Sequence, residues 1–210
     1  MIALIVSGGT ICSEDKFYEI AKKADIIIGC DKGCEALIKY NITPDYIVGD
    51  FDSITLDLNI LTNLGAVKYQ YPKEKDKTDS RIAFELAVEK GATEIIALGM
   101  TGTRYDHVLG NFDLLKTALD LNIKMQIIDD NNTIFLIKES TYLTGEKGAN
   151  ISFKAYFEKV DNLSILGAKY ELKNYNLDVA DSLAICNEFL NEDIYAQFDS
   201  GTLMVLYTKD

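Results

Sequence analysis

The chain has 210 residues, 48% of them hydrophobic and 26% charged, which is enough apolar material for a buried core in one domain or two. Its 33 acidic residues against 21 basic ones give a formal net charge of −12. That excludes tight, sequence-independent binding to nucleic acid or to an anionic membrane surface. A phosphorylated small molecule stays open, because a local metal or arginine can reverse the field in one cleft. No stretch reaches the roughly 18 apolar residues of a membrane-spanning helix. The opening nine residues lack a basic leader and read as a first strand, not as a secretory signal. The four cysteines, Cys12, Cys30, Cys34 and Cys186, form no CxxC pair, which suits reduced thiols in a cytoplasmic protein.

Through the first 130 residues, short β-rich runs alternate with helical patterns. Residues 2–6 are a continuous apolar run that stops at Ser7-Gly8-Gly9, and Phe17, Ile20 and Ala21 then mark one helix face. Residues 25–29 follow, then Asp31-Lys32-Gly33 and a helical stretch to about Tyr40. A third run, 46–48, ends at Gly49 and delivers Asp50 and Asp52. Residues 54–64 have helical character, and 66–71 form another candidate strand. The clearest helix opens at Asp79 or Ser80 and closes at Gly91, with Ile82, Ala83, Leu86 and Ala87 as its core-facing stripe. Residues 94–98 are the next run, Val108, Phe112, Leu115 and Leu119 keep helical spacing, and 124–128 completes the series.

Apolar strands alternating with helices predict a parallel sheet covered on both faces, with ligands beyond the carboxyl ends of the strands. After residue 130 the texture changes to short runs at 134–137, 142–143, 151–157, 163–165, 170–172, 183–185, 194–198 and 203–207, punctuated by Gly and Asn. Such spacing predicts a β-sandwich or barrel. The expected architecture is therefore an α/β parallel-sheet N-terminal domain, residues 1–130, followed by an all-β sandwich C-terminal domain, residues 131–210.

The residues with chemical potential fall at the expected rim. Asp50 and Asp52 are two apart, so an extended backbone would aim both carboxylates to one side. Two like charges about 4 Å apart cost on the order of 4 kcal/mol at an effective dielectric near 20. A hard cation such as Mg²⁺ converts that repulsion into binding; the same residues also make an ordinary polar turn. In residues 71–80, Lys75, Asp76, Thr78 and Asp79 either face the crevice, with Asp79 as a third carboxylate, or form a solvated charge run in which Asp79 caps a helix. In residues 99–107, a glycine-bearing loop enters a helix and offers N–H groups to an anion. Arg104 can fork onto a phosphate, Asp106 stands beside it, and His107, the sole histidine, is either a general base or an orienting group.

Four ordered motifs carry a resemblance: Asp31-x-Gly33, the segment 44–53 ending Gly-Asp-Phe-Asp-Ser, Lys75-Asp-x-Thr-Asp79, and Gly102-x-Arg-x-Asp-His107. Their order resembles that of the thiamine pyrophosphokinases. Asn187-Glu188-Phe189 is similar to that family's Ser-Asn-Glu segment, and Gly201-Thr-Leu-Met-Val to its closing strand. The resemblance spans the chain. It implies an α/β nucleotide domain followed by a β-sandwich, and a homodimer with active sites between subunits. It also implies transfer of the pyrophosphoryl group of ATP to the thiamine hydroxyl, with AMP leaving. Carried over motif by motif, Asp50, Asp52 and Asp79 hold Mg²⁺ and, with Arg104, are the catalytic set. Gly9, Asp31, Lys75, Asp76, Thr78, Arg104, Asp106 and His107 line the nucleotide and phosphate path, and Cys186 and Asn187 meet the thiamine ring. Cys186 stands where the family usually has serine, a stronger hydrogen-bond donor, and the chain has no tryptophan to stack on thiamine. Both departures touch the acceptor pocket. The alternatives are a pyrophosphokinase for another heterocyclic alcohol, such as a hydroxymethylpterin, or a non-catalytic nucleotide sensor.

Overall fold

The computed structural model describes residues 1–210. The chain divides into two compact units, Met1–Asp130 and Asn131–Asp210, and no helix is long and apolar enough to cross a membrane.

The first unit runs β1 (Ile2–Val6), α1 (Glu14–Ala21), β2 (Ile26–Cys30), α2 (Gly33–Lys39), β3 (Tyr46–Gly49), α3 (Asn59–Asn63), β4 (Val67–Gln70), α4 (Asp79–Glu89), β5 (Glu94–Leu98), α5 (Tyr105–Asp120) and β6 (Lys124–Ile128). The six strands are parallel, in the order β6-β5-β1-β2-β3-β4. The central strands read as unbroken apolar runs because both faces are covered: Ala3, Leu4, Ile5 and Val6 have no exposed surface, and neither have Ile95, Ala97 and Leu98. From β1 the chain builds outward to β4 on one side and returns to place β5 and β6 on the other. The reversal lies between β1 and β5, and there the loops after these two strands part.

Two helical expectations change. Of residues 54–64 only Asn59–Asn63 is helical, because Glu35 captures Thr55 through its N–H (2.8 Å) and hydroxyl (2.9 Å). Asp57 then accepts from Asn59 N (2.9 Å) and starts the helix late. On α5 the buried stripe is Asn111, Leu114, Leu115 and Ala118, one position round from the expected Val108, Phe112, Leu115 and Leu119. Asn111 turns inward to donate from Nδ2 to Met100 O at 2.9 Å, and that bond sets the helix's rotation.

The second unit holds β7 (Asn132–Ile137), β8 (Thr141–Leu143), β9 (Asn150–Ala155), β10 (Val160–Leu166), β11 (Leu172–Leu177), β12 (Asn187–Glu188), β13 (Ile194–Gln197) and β14 (Leu203–Thr208). Strands β12-β9-β14-β7 are neighbours in one antiparallel array and β11-β10-β13-β8 in another. Both arrays feed one core, which includes Phe153 and Val205 from the first and Ile165, Leu177 and Ala196 from the second. Residues 183–185 are not a strand. The apolar run at 170–172 is only the entry to β11, whose Lys173, Asn174 and Asn176 hide it from pattern reading. Its register against β10 shifts twice, and Asn174 takes a left-handed φ of 50°.

Backbone closeness at the β1–β5 reversal depends on glycine. Gly99 has φ 67°, and a Cβ there would sit 2.0 Å from Ser7 O. Gly99→Ala should therefore lower stability by about 2–4 kcal/mol, combining a left-handed alanine with overpacking. Gly110→Ala, within α5 where nothing lies within 4 Å of the added methyl, should raise it by about 0.5–1 kcal/mol. Urea midpoints at unchanged m-value read both.

Candidate active site

The loops after β1, β2 and β5 and the start of α4 enclose a crevice of about 430 Å³. It is lined by Gly9, Asp31, Thr78, Asp79, Arg104 and His107 among the expected residues, together with Ser7, Lys32, Ser53, Ser80 and Asn111. Gly9 does not present its N–H to the crevice: it donates to Gly99 O at 2.8 Å. Its missing side chain is what matters, since a Cβ would come 2.0 Å from Thr101 O. The loop after β5 is pinned from three directions, by that bond, by Thr10 N to Thr101 O (2.7 Å) and by Asn111. The crevice floor is thus preorganised backbone.

Asp31 closes β2 in a left-handed conformation, φ 45°. Its Oδ2 accepts from Ser53 Oγ at 2.5 Å, while its Oδ1 is buried and has no hydrogen-bond partner. Asp79 opens α4 directly after Thr78, whose Oγ1 accepts from Arg81 N at 3.2 Å and caps the helix. The capping role therefore belongs to Thr78, and Asp79 is left for the crevice. Lys75 Nζ lies 3.1 Å from Asp79 Oδ1 and 3.4 Å from Asp50 Oδ2. Asp79 Oδ1 is buried, with this ammonium as its charge partner.

The Asp50–Asp52 pair is not extended. Phe51 adopts φ 63°, and Asp50 Oδ1 accepts the N–H of Asp52 at 3.0 Å, which makes an aspartate turn. Asp50 faces Lys75, whereas Asp52 pairs with Lys73 on the exposed side. No three Asp, Glu, His or Cys side chains converge tightly enough to form a ready-made cation site. Arg104 and Asp106 pair with each other, Nη2 to Oδ2 at 2.7 Å, and are largely exposed. Asp76 is exposed and lies outside the lining.

These surroundings set the charges. The Asp52 N–H, against opposition from partial burial and with help from Lys75, holds the Asp50 carboxyl below its ordinary value. Burial pushes Asp79 up despite Lys75. For Lys75, burial opposes the charge but Asp79 and Asp50 outweigh it, and its pKa rises. Arg104 holds Asp106 down at about 2.

In the second unit Cys186 and Asn187 line a separate pocket of about 350 Å³ with Tyr170, Leu172, Leu183 and Ile185. Cys186 is exposed in a left-handed conformation, φ 60°. Asn187 is 3% exposed, and its amide is committed to backbone: Oδ1 accepts from Tyr170 N (3.0 Å) and Glu188 N (2.9 Å), and Nδ2 donates to Tyr170 O (2.8 Å). These bonds fix the backbone of Tyr170, which also lines the pocket and is 61% exposed. Sequence reasoning missed Tyr170 because an aromatic at a strand entry carries no periodic signal. Ser7 was legible as the first residue past β1, whereas Asn111 lies outside the stripe expected of α5.

Known proteins share this organisation. A model of the "Thiamin pyrophosphokinase, catalytic domain" matches residues 17–127, and one of the "Thiamin pyrophosphokinase, vitamin B1 binding domain" matches residues 133–203. A thiamine pyrophosphokinase of Bacillus subtilis is 35% identical over 187 residues, covering 87% of each chain. A crystal structure of thiamine pyrophosphokinase from Bacillus subtilis superposes with a TM-score of 0.86 at 31% identity over 100% of both chains. One of a thiamin pyrophosphokinase family protein from Enterococcus faecalis also gives 0.86, at 26% identity over 100% of both.

A pH signature follows from the raised Asp79. Such a carboxyl favours the folded state fully below its ordinary value of 3.8 and loses that contribution as pH rises through the folded value. Asp79→Asn removes the loss. The variant should melt above the parent at pH 7, with the difference vanishing below about pH 3.8 in thermal scans across pH.

Proposed function

This chain belongs to the thiamin pyrophosphokinase family and is a thiamine pyrophosphokinase, and we propose that the crevice of its first unit carries the pyrophosphoryl transfer. The observation that supports this placement is convergence. Asp31, Thr78, Asp79, Arg104 and His107, drawn from three of the four motifs, line one crevice beyond the carboxyl ends of parallel strands, and Asp50 of the fourth shares Lys75 with Asp79. The reaction moves the pyrophosphoryl group of ATP to the thiamine hydroxyl and releases AMP.

Transfer of this kind needs positioning and charge neutralisation more than covalent help from the protein. Arg104, exposed at the start of α5, trades Asp106 for phosphate oxygens in a bidentate grip. Lys75 and Lys32 add cationic charge along the path, and Thr78, Ser7 and Ser53 offer hydroxyls. Asp31 and Asp79 have buried, hydrogen-bond-free oxygens, hard donors of the kind Mg²⁺ takes. Asp50 and Asp79, with Asp52 on release from Lys73, would hold the ion, which when bound neutralises phosphate charge. His107 orients the start of α5 rather than acting as base. We assign thiamine to the second unit's pocket, with Tyr170 as the ring wall in place of a tryptophan and Cys186 beside it. We also assign the working form to a cytoplasmic homodimer with active sites between subunits.

Incubation with ATP and thiamine should release AMP and thiamine diphosphate, and EDTA should abolish both. Release with a hydroxymethylpterin alone, or with neither acceptor, overturns the assignment. Asp50→Asn and Arg104→Ala should each lower kcat by at least about 100-fold while circular dichroism stays unchanged.

A further inference from the structure

The wall of the second unit's pocket is irregular chain. Residues 178–186 connect β11 to β12 and supply Leu183, Ala184, Ile185 and Cys186 to the lining. Ala184 is anchored in the core, 5% exposed, with its carbonyl accepting Phe153 N at 2.9 Å. Leu183 and Ile185, on either side, are 58% and 46% exposed. Burial does not hold these two apolar side chains in place, so the segment's backbone must be fixed by something else.

The fixing groups are polar and few. Asp181 Oδ2 accepts from Tyr175 Oη of β11 at 2.5 Å, while Asp181 Oδ1 accepts from Leu183 N at 3.0 Å. One carboxylate thus ties a sheet residue to the pocket wall. Lys154 of β9 donates to Val179 O at 2.6 Å and to Asp181 O at 3.5 Å, and Ser152 Oγ accepts Cys186 N at 3.0 Å. Tyr175 and Asp181 are absent from the lining, so any effect they have on a ligand passes through Leu183 and Ile185.

We propose that Tyr175 and Asp181, braced by Lys154, clip the 178–186 segment into the shape that receives the acceptor ring, and so are positioning residues for the acceptor substrate. This rests on the assignment of thiamine to that pocket. A ligand entering a preformed wall does not have to order the segment, so the clip's contribution appears as acceptor affinity. The pyrophosphoryl machinery uses other residues, so kcat and ATP affinity are independent of it.

The test uses the full chain, with thiamine and ATP titrated separately and thiamine binding also read by calorimetry. Tyr175→Phe deletes one hydroxyl and Asp181→Asn weakens both bonds. Each should raise the thiamine KM and Kd about tenfold, as expected for loss of a hydrogen bond to a charged group. The saturating kcat and the ATP KM should hold. Tyr170→Ala, a truncation at the pocket mouth, is the reference. If Tyr170→Ala raises the thiamine KM and the two clip variants do not, the clip is overturned. Should none of the three change it, the pocket assignment itself fails and takes the clip with it. A joint fall of kcat, both affinities and melting temperature would show a merely structural role and also overturn the proposal.

Discussion

One ammonium among carboxylates organises the catalytic unit. Parallel strands deliver their following loops to one rim, and in this chain those loops carry Asp31, Asp50 and Asp79. Like charges at such range repel by several kcal/mol at an effective dielectric near 20. Lys75, 3.4 Å from Asp50 and 3.1 Å from Asp79, offsets that repulsion and fixes the 71–78 loop against the end of β3. The compensation is incomplete. Burial still pushes Asp79 up, and buried oxygens of Asp31 and Asp79 lack hydrogen bonds. Unspent acceptor capacity of this kind costs the folded protein stability.

The second constraint is backbone proximity. Where the sheet order reverses, the loops after β1 and β5 pass so close that side chains are excluded at Gly9 and Gly99. Gly33 is equally crowded, its absent Cβ lying 2.1 Å from Val6 O. These contacts place the floor of the crevice to within the tolerance of hydrogen bonds between Gly9 and Gly99, and between Thr10 and Thr101. Ser7 and Ser80, hydroxyls 3.0 Å apart, then link β1 to α4 and set Asp79 relative to the floor. Rigid elements thus carry the groups whose placement matters most.

Much of this was legible in the sequence, and the exceptions have physical causes. The central parallel strands declared themselves as apolar runs because both faces are buried, and α4 by its core-facing stripe, although its cap is Thr78 and not Asp79. The helix at 54–64 was overread because Glu35, twenty residues away, takes the hydrogen bonds that would have started it. The face of α5 was misread by one position because Asn111 is polar yet inward, held by Met100 O. Asp50 and Asp52 were read on an extended chain, whereas the left-handed Phe51 and the bond from Asp52 N to Asp50 Oδ1 make a turn there. In the second unit β11 was read only at its entry, residues 170–172, because Lys173, Asn174 and Asn176 interrupt the apolar pattern and Asn174 takes a left-handed φ. Asn187 lines the second unit's pocket, and the bonds of its amide to the backbone of Tyr170 and Glu188 are not visible in spacing. In each case a long-range hydrogen bond or an unusual φ overrode the local pattern, and neither is written in residue spacing.

The two units solve different problems, and this bears on how acceptor choice can vary. A chain of net charge −12 that handles a polyphosphate must reverse its own field locally. In the proposed site it does so with a few cations, Lys32, Lys75 and Arg104, set against fixed backbone. Altering any of these disturbs charges that are coupled through shared partners, so their effects do not add. The second unit's pocket is apolar, and its wall is irregular chain held by a handful of side-chain bonds that share no partner with the crevice residues. Changes such as cysteine for serine at 186, or tyrosine for tryptophan as the ring wall, therefore act on one local equilibrium and leave the charge network untouched. On the proposed assignment, a substitution there retunes which ring fits, whereas a substitution at Lys75 or Asp79 removes the chemistry for every ring.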